Sequence, residues 1–212
     1  MTSTPLILIH GALHNSSMWD RVINFLPQQD VFVPTIEKTS SYHDCVNQIL
    51  SSIPSDFTSP TIIGYSMGAR IAALLTQKIN YSKLILVSGT LGITNKESRS
   101  KRVQADKLLA KRFSHNFQEQ ITQWMTRDIF LDQTFVRPQL NLETVHSHLI
   151  NLGQGNFTPI HDIPNNTSFV VGSEDEKYLK LAKKYTKDPV IIDGAKHDIP
   201  LTHPQELVSA FF

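Results

Sequence analysis

The sequence predicts an α/β fold with a mostly parallel, doubly wound sheet and helices on both faces. Short apolar runs at residues 6–9 and 84–87 are typical of strands that are buried on both sides. These runs alternate with segments in which apolar residues recur at helical spacing, as at residues 71–79. Such alternation indicates parallel strands joined by crossover helices.

The other elements follow the same alternation along the chain. The sequence predicts further helices at residues 17–26, at residues 45–53, at about residues 176–186 and after Pro204. It predicts further strands at residues 31–33, 61–63, 169–171 and 190–192. Residues from about 93 to 160 show helical periodicity, many charges and no convincing strand. We therefore expect one domain, residues 1–212, with a helical cap insertion at about residues 93–160.

The composition favours a small molecule as the partner. With 20 basic and 19 acidic residues, the formal charge of +1 gives no electrostatic basis for binding nucleic acid or an anionic membrane. Cys45 is the only cysteine, and no Cys/His spacing resembles a zinc site, so we expect neither a disulfide nor a metal site. We expect the first ten residues to contain the first strand rather than a signal peptide or a membrane span. A cytoplasmic protein is expected, with the oligomeric state open between a monomer and a weak homo-oligomer.

A nucleophile motif lies between a predicted strand and a predicted helix. Residues 64–68, Gly-Tyr-Ser-Met-Gly, match Gly-x-Ser-x-Gly, whose glycines allow a sharp turn that exposes the serine above the carboxyl edge of a sheet. A serine hydroxyl needs a histidine to take its proton and an acid to orient that histidine. The motif in this context predicts the α/β-hydrolase fold, with Ser66 as nucleophile or base.

The histidine and the acid are predicted from their places after later strands. His197 lies in the loop after the last predicted strand, in the chain order Ser, acid, His that this fold uses. Three carboxylates, Glu174, Asp175 and Glu176, follow the preceding strand and compete for the role of the acid. Asp175 is preferred because it falls at the usual distance past the glycine of that strand.

Negative charge that develops on a substrate oxygen needs preorganised donors. In this fold they are the backbone N–H after the serine and one from the loop after the first strand, which are Met67 and Ala12. His146 and His148 have no third ligand at metal-binding spacing, so they are interpreted as surface or packing residues.

Two segments carry a resemblance to a known family. Residues 64–70, Gly-Tyr-Ser-Met-Gly-Ala-Arg, resemble Gly-Tyr-Ser-x-Gly-Gly-Arg, and residues 172–178 resemble Gly-Glu-x-Asp-x-Lys-Phe. Both patterns belong to the 2-succinyl-6-hydroxy-2,4-cyclohexadiene-1-carboxylate synthases of menaquinone biosynthesis, a branch of the α/β-hydrolases. The resemblance implies that Asp175 is the acid and that Tyr65 and Arg70 contact the substrate.

Matches to this family continue in the insertion. Arg102, Trp124 and Arg137 resemble its substrate-binding residues, and residues 152–156 resemble its Gly-Thr-Gly-Asn segment. Its substrate carries several carboxylates, which guanidinium groups bind through paired hydrogen bonds. The chain departs from the family in having Met125 in place of a tyrosine, in lacking Asp-Leu-Pro-Gly-His-Gly around residues 34–39, and in lacking the amino-terminal hairpin.

Three hypotheses for function follow. The resemblance implies a lyase that eliminates pyruvate from 2-succinyl-5-enolpyruvyl-6-hydroxy-3-cyclohexene-1-carboxylate, with Ser66 as the base, no covalent intermediate and no cofactor. The same triad is also suited to a serine ester hydrolase of a small acyl ester. A non-catalytic ligand-binding protein that reuses the fold is the third hypothesis.

Overall fold

The fold is built on a six-stranded sheet, as seen in a computed structural model that describes residues 4–130 and 140–211. The strands are β1 (Leu6–Ile9), β2 (Val31–Phe32), β3 (Thr61–Tyr65), β4 (Lys83–Val87), β5 (Thr167–Gly172) and β6 (Val190–Ile192). Their order across the sheet is β2-β1-β3-β4-β5-β6, and every pairing is parallel. The predicted fold class is confirmed.

The strand order reverses between β1 and β3. The chain leaves β1 for β2 at the edge of the sheet and then returns to β3 on the other side of β1. In open parallel sheets, ligands bind at such a reversal, outside the carboxyl ends of the strands. Ala12, Ser66, Asp175 and His197 all follow the carboxyl ends of strands, so the predicted site lies at this edge.

Helices cover both faces of the sheet. They are α1 (Asp20–Ile23), α2 (Tyr42–Ser52), α3 (Met67–Leu75), α4 (Lys96–His115), α5 (Phe117–Met125), α6 (Leu142–His146), α7 (Glu176–Tyr185), α8 (Ile199–Thr202) and α9 (Pro204–Ser209). One apolar cluster joins the sheet to α2, α3 and α7, and a second joins it to α1, α8 and α9. None of the described helices is both long and apolar enough to cross a bilayer.

The helix predicted at residues 17–26 is shorter in the structure. A 3-10 turn at Ser16–Trp19 leads into α1, and Asn15 caps the turn by accepting a hydrogen bond from the Ser17 backbone N–H at 3.0 Å. The Phe25 backbone N–H bonds to the carbonyl three residues back, which ends the helix in a tighter turn. As a result Phe25, which the periodicity places on the apolar face, is 47% exposed.

The described residues between β4 and β5 include three helices, α4, α5 and α6, and a π-helical turn at Ser147–Asn151. They form an apolar cluster of their own, centred on Phe113, Val145 and Leu149. Leu13, from the loop after β1, is fully buried in the same cluster. The helices of the predicted insertion therefore pack directly on a loop at the carboxyl edge of the sheet.

Candidate active site

Ser66 lies in a strained turn between β3 and α3. Its φ of 53° and ψ of −105° place a non-glycine residue outside the usual backbone regions, at a cost of about 1–3 kcal/mol. A Cβ atom at Gly64 would overlap the Gly68 carbonyl, and one at Gly68 would overlap the Ile9 carbonyl. The two motif glycines are therefore required by close packing, which holds the serine at the edge of the sheet.

The Ser66, His197 and Asp175 side chains form a hydrogen-bonded chain. The distance from Ser66 Oγ to His197 Nε2 is 3.0 Å, and that from His197 Nδ1 to Asp175 Oδ2 is 2.7 Å. Because the carboxylate can only accept, Nδ1 donates to it, which leaves Nε2 to accept the serine proton. Asp175 is 7% exposed, whereas Glu174 and Glu176 face solvent, so the structure brings the preferred carboxylate to the histidine.

His197 is fixed by contacts on several sides. Its backbone N–H donates to the Ile129 carbonyl at 3.0 Å. Its ring packs against those of Tyr178, Tyr65 and Phe130, at centroid distances of 4.6, 5.4 and 6.2 Å. Aromatic packing of this kind limits the rotation of the imidazole and excludes water from it.

The two predicted oxyanion donors lie at the same cavity as Ser66. Met67 is the first residue of α3, where backbone N–H groups have no partner within the helix and the helix dipole favours negative charge. Ala12 follows Gly11, where an added Cβ would lie 2.6 Å from the Tyr65 ring and 3.5 Å from Ser66 Cβ. The loop after β1 therefore passes directly beside the serine.

Every predicted site residue within the described part of the chain lines this one cavity. These residues are Ala12, Tyr65, Ser66, Met67, Arg70, Arg102, Trp124, Asp175 and His197. Arg137 lies outside the described residues, so its predicted role stays a prediction.

Arg70 is a buried cation in the wall of the cavity. It is 5% exposed, its Nε donates to Tyr42 Oη at 2.6 Å, and its Nη2 donates to the Leu152 carbonyl at 3.4 Å. Burial raises the pKa of Tyr42, so this phenol stays neutral and itself donates to the Leu152 carbonyl at 2.6 Å. No carboxylate of the described residues forms an ion pair with Arg70.

Arg102 differs from Arg70 because its charge is already balanced. Its Nε lies 2.9 Å from both carboxylate oxygens of Asp106, and its Nη2 lies 2.7 Å from Oδ1. Asp106 is buried, whereas the Arg102 side chain is 36% exposed. Arg102 therefore has less unbalanced charge to offer a ligand than the sequence alone suggested.

Among the residues that line the cavity but were not predicted from the sequence to belong to the site are Arg127, Lys177 and His148. Arg127 is exposed, and its guanidinium lies 4.6 Å from the ring centroid of Trp124, three residues earlier in the chain. Lys177 is exposed and lies two residues after Asp175. His148, interpreted from the sequence as a surface or packing residue, is 1% exposed and hydrogen-bonded to the loop after β1. Arg127 and Lys177 are signalled only by their closeness in sequence to the predicted site residues Trp124 and Asp175, and no local pattern signals His148.

Comparison with known proteins identifies the family. A family model described as the alpha/beta hydrolase family matches residues 6–210. The chain belongs to this family. It is therefore an enzyme, a lyase or an ester hydrolase, as its similarity to enzymes of both kinds supports.

Relatives of both kinds are similar over nearly the whole chain. The 2-succinyl-6-hydroxy-2,4-cyclohexadiene-1-carboxylate synthase of Yersinia enterocolitica is 27% identical over 228 residues, which cover 96% of this chain and 83% of the relative. The solved structure of MenH from S. aureus matches with a TM-score of 0.88 and 21% identity, over 99% of this chain and 92% of that one. A thermophilic esterase from Thermogutta terrifontis, solved with malate bound, matches with a TM-score of 0.76 and 18% identity, over 99% and 88%.

Proposed function

We propose that this alpha/beta hydrolase is a lyase that eliminates pyruvate from 2-succinyl-5-enolpyruvyl-6-hydroxy-3-cyclohexene-1-carboxylate, the menaquinone-pathway reaction. The observation that carries the proposal is Arg70, a buried guanidinium without an acidic partner among the described residues, in the same cavity as Ser66. A buried charge is costly unless it is paired, so this cavity favours an anionic ligand. A pocket for neutral acyl chains has no use for such a charge.

The number of available cations supports a substrate with several carboxylates. Arg70, Arg127 and Lys177 line the cavity and have no ion-pair partner among the described residues, whereas Arg102 is paired with Asp106. The proposed substrate carries three carboxylates, on the ring, on the succinyl chain and on the enolpyruvyl group. Guanidinium groups bind carboxylates through two parallel hydrogen bonds, which also orient them.

The site geometry is suited to proton abstraction beside a carbonyl. In the proposed reaction the Ser66 oxygen, relieved of its proton by His197, removes the proton from ring carbon 2, which the succinyl ketone acidifies. The electron pair forms the 2,3 double bond, the 3,4 double bond moves to position 4,5, and the bond from carbon 5 to oxygen breaks. The leaving enolate of pyruvate then takes up a proton. The Ala12 and Met67 N–H groups would stabilise negative charge on the ketone oxygen.

The test is pyruvate release from the enzymatically prepared substrate, coupled to lactate dehydrogenase. The wild type is expected to release pyruvate, and Ser66→Ala to reduce the rate by at least roughly 10³-fold. Arg70→Ala is expected to reduce kcat/KM by roughly 10²-fold or more, because the substrate carboxylate loses its buried partner. Arg112→Ala, an exposed arginine outside the cavity, is the matched control and should leave kcat/KM unchanged.

Ester hydrolysis is the alternative outcome of the same experiment. The triad and the oxyanion donors would also serve an acyl-enzyme mechanism, in which short aryl esters turn over with an initial burst. Rapid ester turnover that is insensitive to Arg70→Ala, together with no pyruvate release above Ser66→Ala, would overturn the lyase proposal.

A further inference from the structure

Two buried histidines, His10 and His148, hold the loop that contains Ala12. The His10 ring accepts a hydrogen bond at Nε2 from the Ile36 backbone N–H at 2.9 Å, so its Nδ1 bears the proton and donates to the Gly11 carbonyl at 2.9 Å. The ring is fully buried. His10 thus fixes the first part of the loop to the segment that follows β2.

His148 fixes the second part of the loop to the same residue, Ile36. Its Nδ1 accepts from the Leu13 backbone N–H at 3.1 Å, so Nε2 bears the proton and donates to the Ile36 carbonyl at 2.8 Å. Burial lowers the pKa of His148 to about 4, and burial together with the nearby His148 lowers that of His10 to about 3. Both rings are therefore neutral near pH 7, with each ring nitrogen hydrogen-bonded.

Leu13 is held in a strained conformation by these contacts. Its φ of 59° lies in the left-handed region, which a branched side chain rarely adopts and which costs about 1 kcal/mol or more. This conformation directs the Leu13 N–H towards His148 and its side chain into the apolar cluster with Phe113 and Leu149.

We infer that His148 is a positioning residue that, together with His10, sets the direction of the Ala12 N–H, so that the helical segment between β4 and β5 completes the oxyanion site. The Ala12 N–H belongs to the Gly11–Ala12 peptide, whose carbonyl accepts from His10, and the Leu13 N–H that donates to His148 belongs to the next peptide. The two peptides meet at the Cα of Ala12, so release of the second allows the backbone of Ala12 to turn. The inference rests on the proposed role of the Ser66 site and of Ala12 as an oxyanion donor, and not on the identity of the substrate.

Three substitutions separate the two hydrogen bonds of His148. His148→Asn places an amide oxygen near the position of Nδ1, which keeps the acceptor for Leu13. His148→Gln places an amide nitrogen near the position of Nε2, which keeps only the donor to Ile36. His148→Leu removes both hydrogen bonds.

His146→Asn and His146→Gln are the matched controls. His146 lies two residues earlier, bonds to Ser114 Oγ at 2.8 Å and does not line the cavity.

Amide hydrogen exchange tests the inference without any assay of activity. Exchange in peptides that contain residues 10–13 should become at least roughly tenfold faster in His148→Leu and His148→Gln, and should stay near the wild-type rate in His148→Asn and in both His146 variants. Wild-type exchange rates in folded His148→Leu and His148→Gln would overturn the inference, as would equally accelerated exchange in all three His148 variants.

Kinetics then test the effect on the reaction. His148→Leu and His148→Gln should lower kcat by roughly 10- to 100-fold, approaching the loss expected for an absent oxyanion donor, with little change in KM. His148→Asn should retain kcat to within about threefold. Wild-type kcat in the Leu and Gln variants would contradict the positioning role. A wild type with no Ser66-dependent activity would refute the proposed function instead, and the exchange result would still decide whether His148 holds the loop.

Discussion

The Tyr42 phenol and the Arg70 guanidinium form a buried pair, with 2.6 Å between Tyr42 Oη and Arg70 Nε. The phenol donates its own proton to the Leu152 carbonyl, so it can only accept from Arg70. Tyr42 belongs to α2 and Arg70 to α3, while Leu152 follows the π-helical turn of the insertion. Three separate elements therefore fix the direction in which the remaining N–H groups of Arg70 face the cavity.

Removal of this phenol should weaken substrate binding. Tyr42→Phe is expected to lower kcat/KM for the proposed tricarboxylate substrate by roughly 10- to 100-fold, because a hydrogen bond to a charged group is worth about 1.5–3 kcal/mol and Arg70 loses its fixed orientation. Steady-state kinetics of pyruvate release provide the measurement. Tyr81→Phe, which removes the hydroxyl that donates to the Asn165 carbonyl far from the cavity, is the control and should have no effect. Equal kcat/KM in the wild type and in Tyr42→Phe would refute this account of Arg70.

Isosteric substitution can decide which of Glu174, Asp175 and Glu176 is the acid that orients His197. Asp175→Asn should lower kcat by roughly 10³- to 10⁴-fold, because the amide no longer stabilises the imidazolium or the Nδ1–H tautomer of His197. Glu174→Gln and Glu176→Gln, which change exposed neighbours, should stay within about twofold of the wild type. Thermal unfolding of all three variants controls for stability. A large loss of activity in either glutamate variant would contradict the assignment of Asp175.

The buried histidines predict how stability depends on pH. Because the pKa values of His10 and His148 are lowered to about 3 and about 4, the unfolded chain, with histidine pKa values near 6.5, binds protons that the folded chain does not. The free energy of unfolding should therefore fall as the pH decreases from 6.5 towards 4, by up to about 1.4 kcal/mol per pH unit for each histidine. Above about pH 7.5, where these histidines are neutral in both the folded and the unfolded chain, they contribute almost no pH dependence.

Urea unfolding at several pH values from 7.5 to 4.5 checks this prediction. His148→Asn should show a shallower decrease than the wild type, since one of the two groups no longer titrates. The comparison of the two proteins removes the contribution of the carboxylates, which titrate equally in both. Parallel stability curves for the wild type and the variant would show that His148 is not held neutral by the fold.

The single cysteine reports on the integrity of the core. Cys45 is 1% exposed, and burial raises the pKa of its thiol to about 12, so the reactive thiolate is scarce at neutral pH. Ellman's reagent should therefore label the native protein at pH 7.5 at least roughly 10²-fold more slowly than the urea-unfolded protein. Fast stoichiometric labelling of the native chain would mean that α2 does not pack on the sheet as described.

Much of the site could be predicted from the sequence because its chemistry is encoded locally. The strand–turn–helix context of Ser66 and the places of Asp175 and His197 after buried strands each depend on a few neighbouring residues. In a parallel sheet, all carboxyl ends meet at one edge, so separate local signals converge in space. The end of α1 was harder to predict. Phe25 falls at helical spacing, but whether it is buried depends on how much of the sheet is already covered by Trp19 and Val22.

The sequence by itself determined the fold class and the residues that can exchange protons, since periodicity and turn chemistry act over a few residues along the chain. Only the tertiary structure decided that Arg70 is a buried cation without an acidic partner among the described residues, and that His148 holds the loop beside Ser66. These properties depend on burial and on contacts across more than a hundred residues, as between Leu13 and His148, and no local pattern in the chain encodes such a contact.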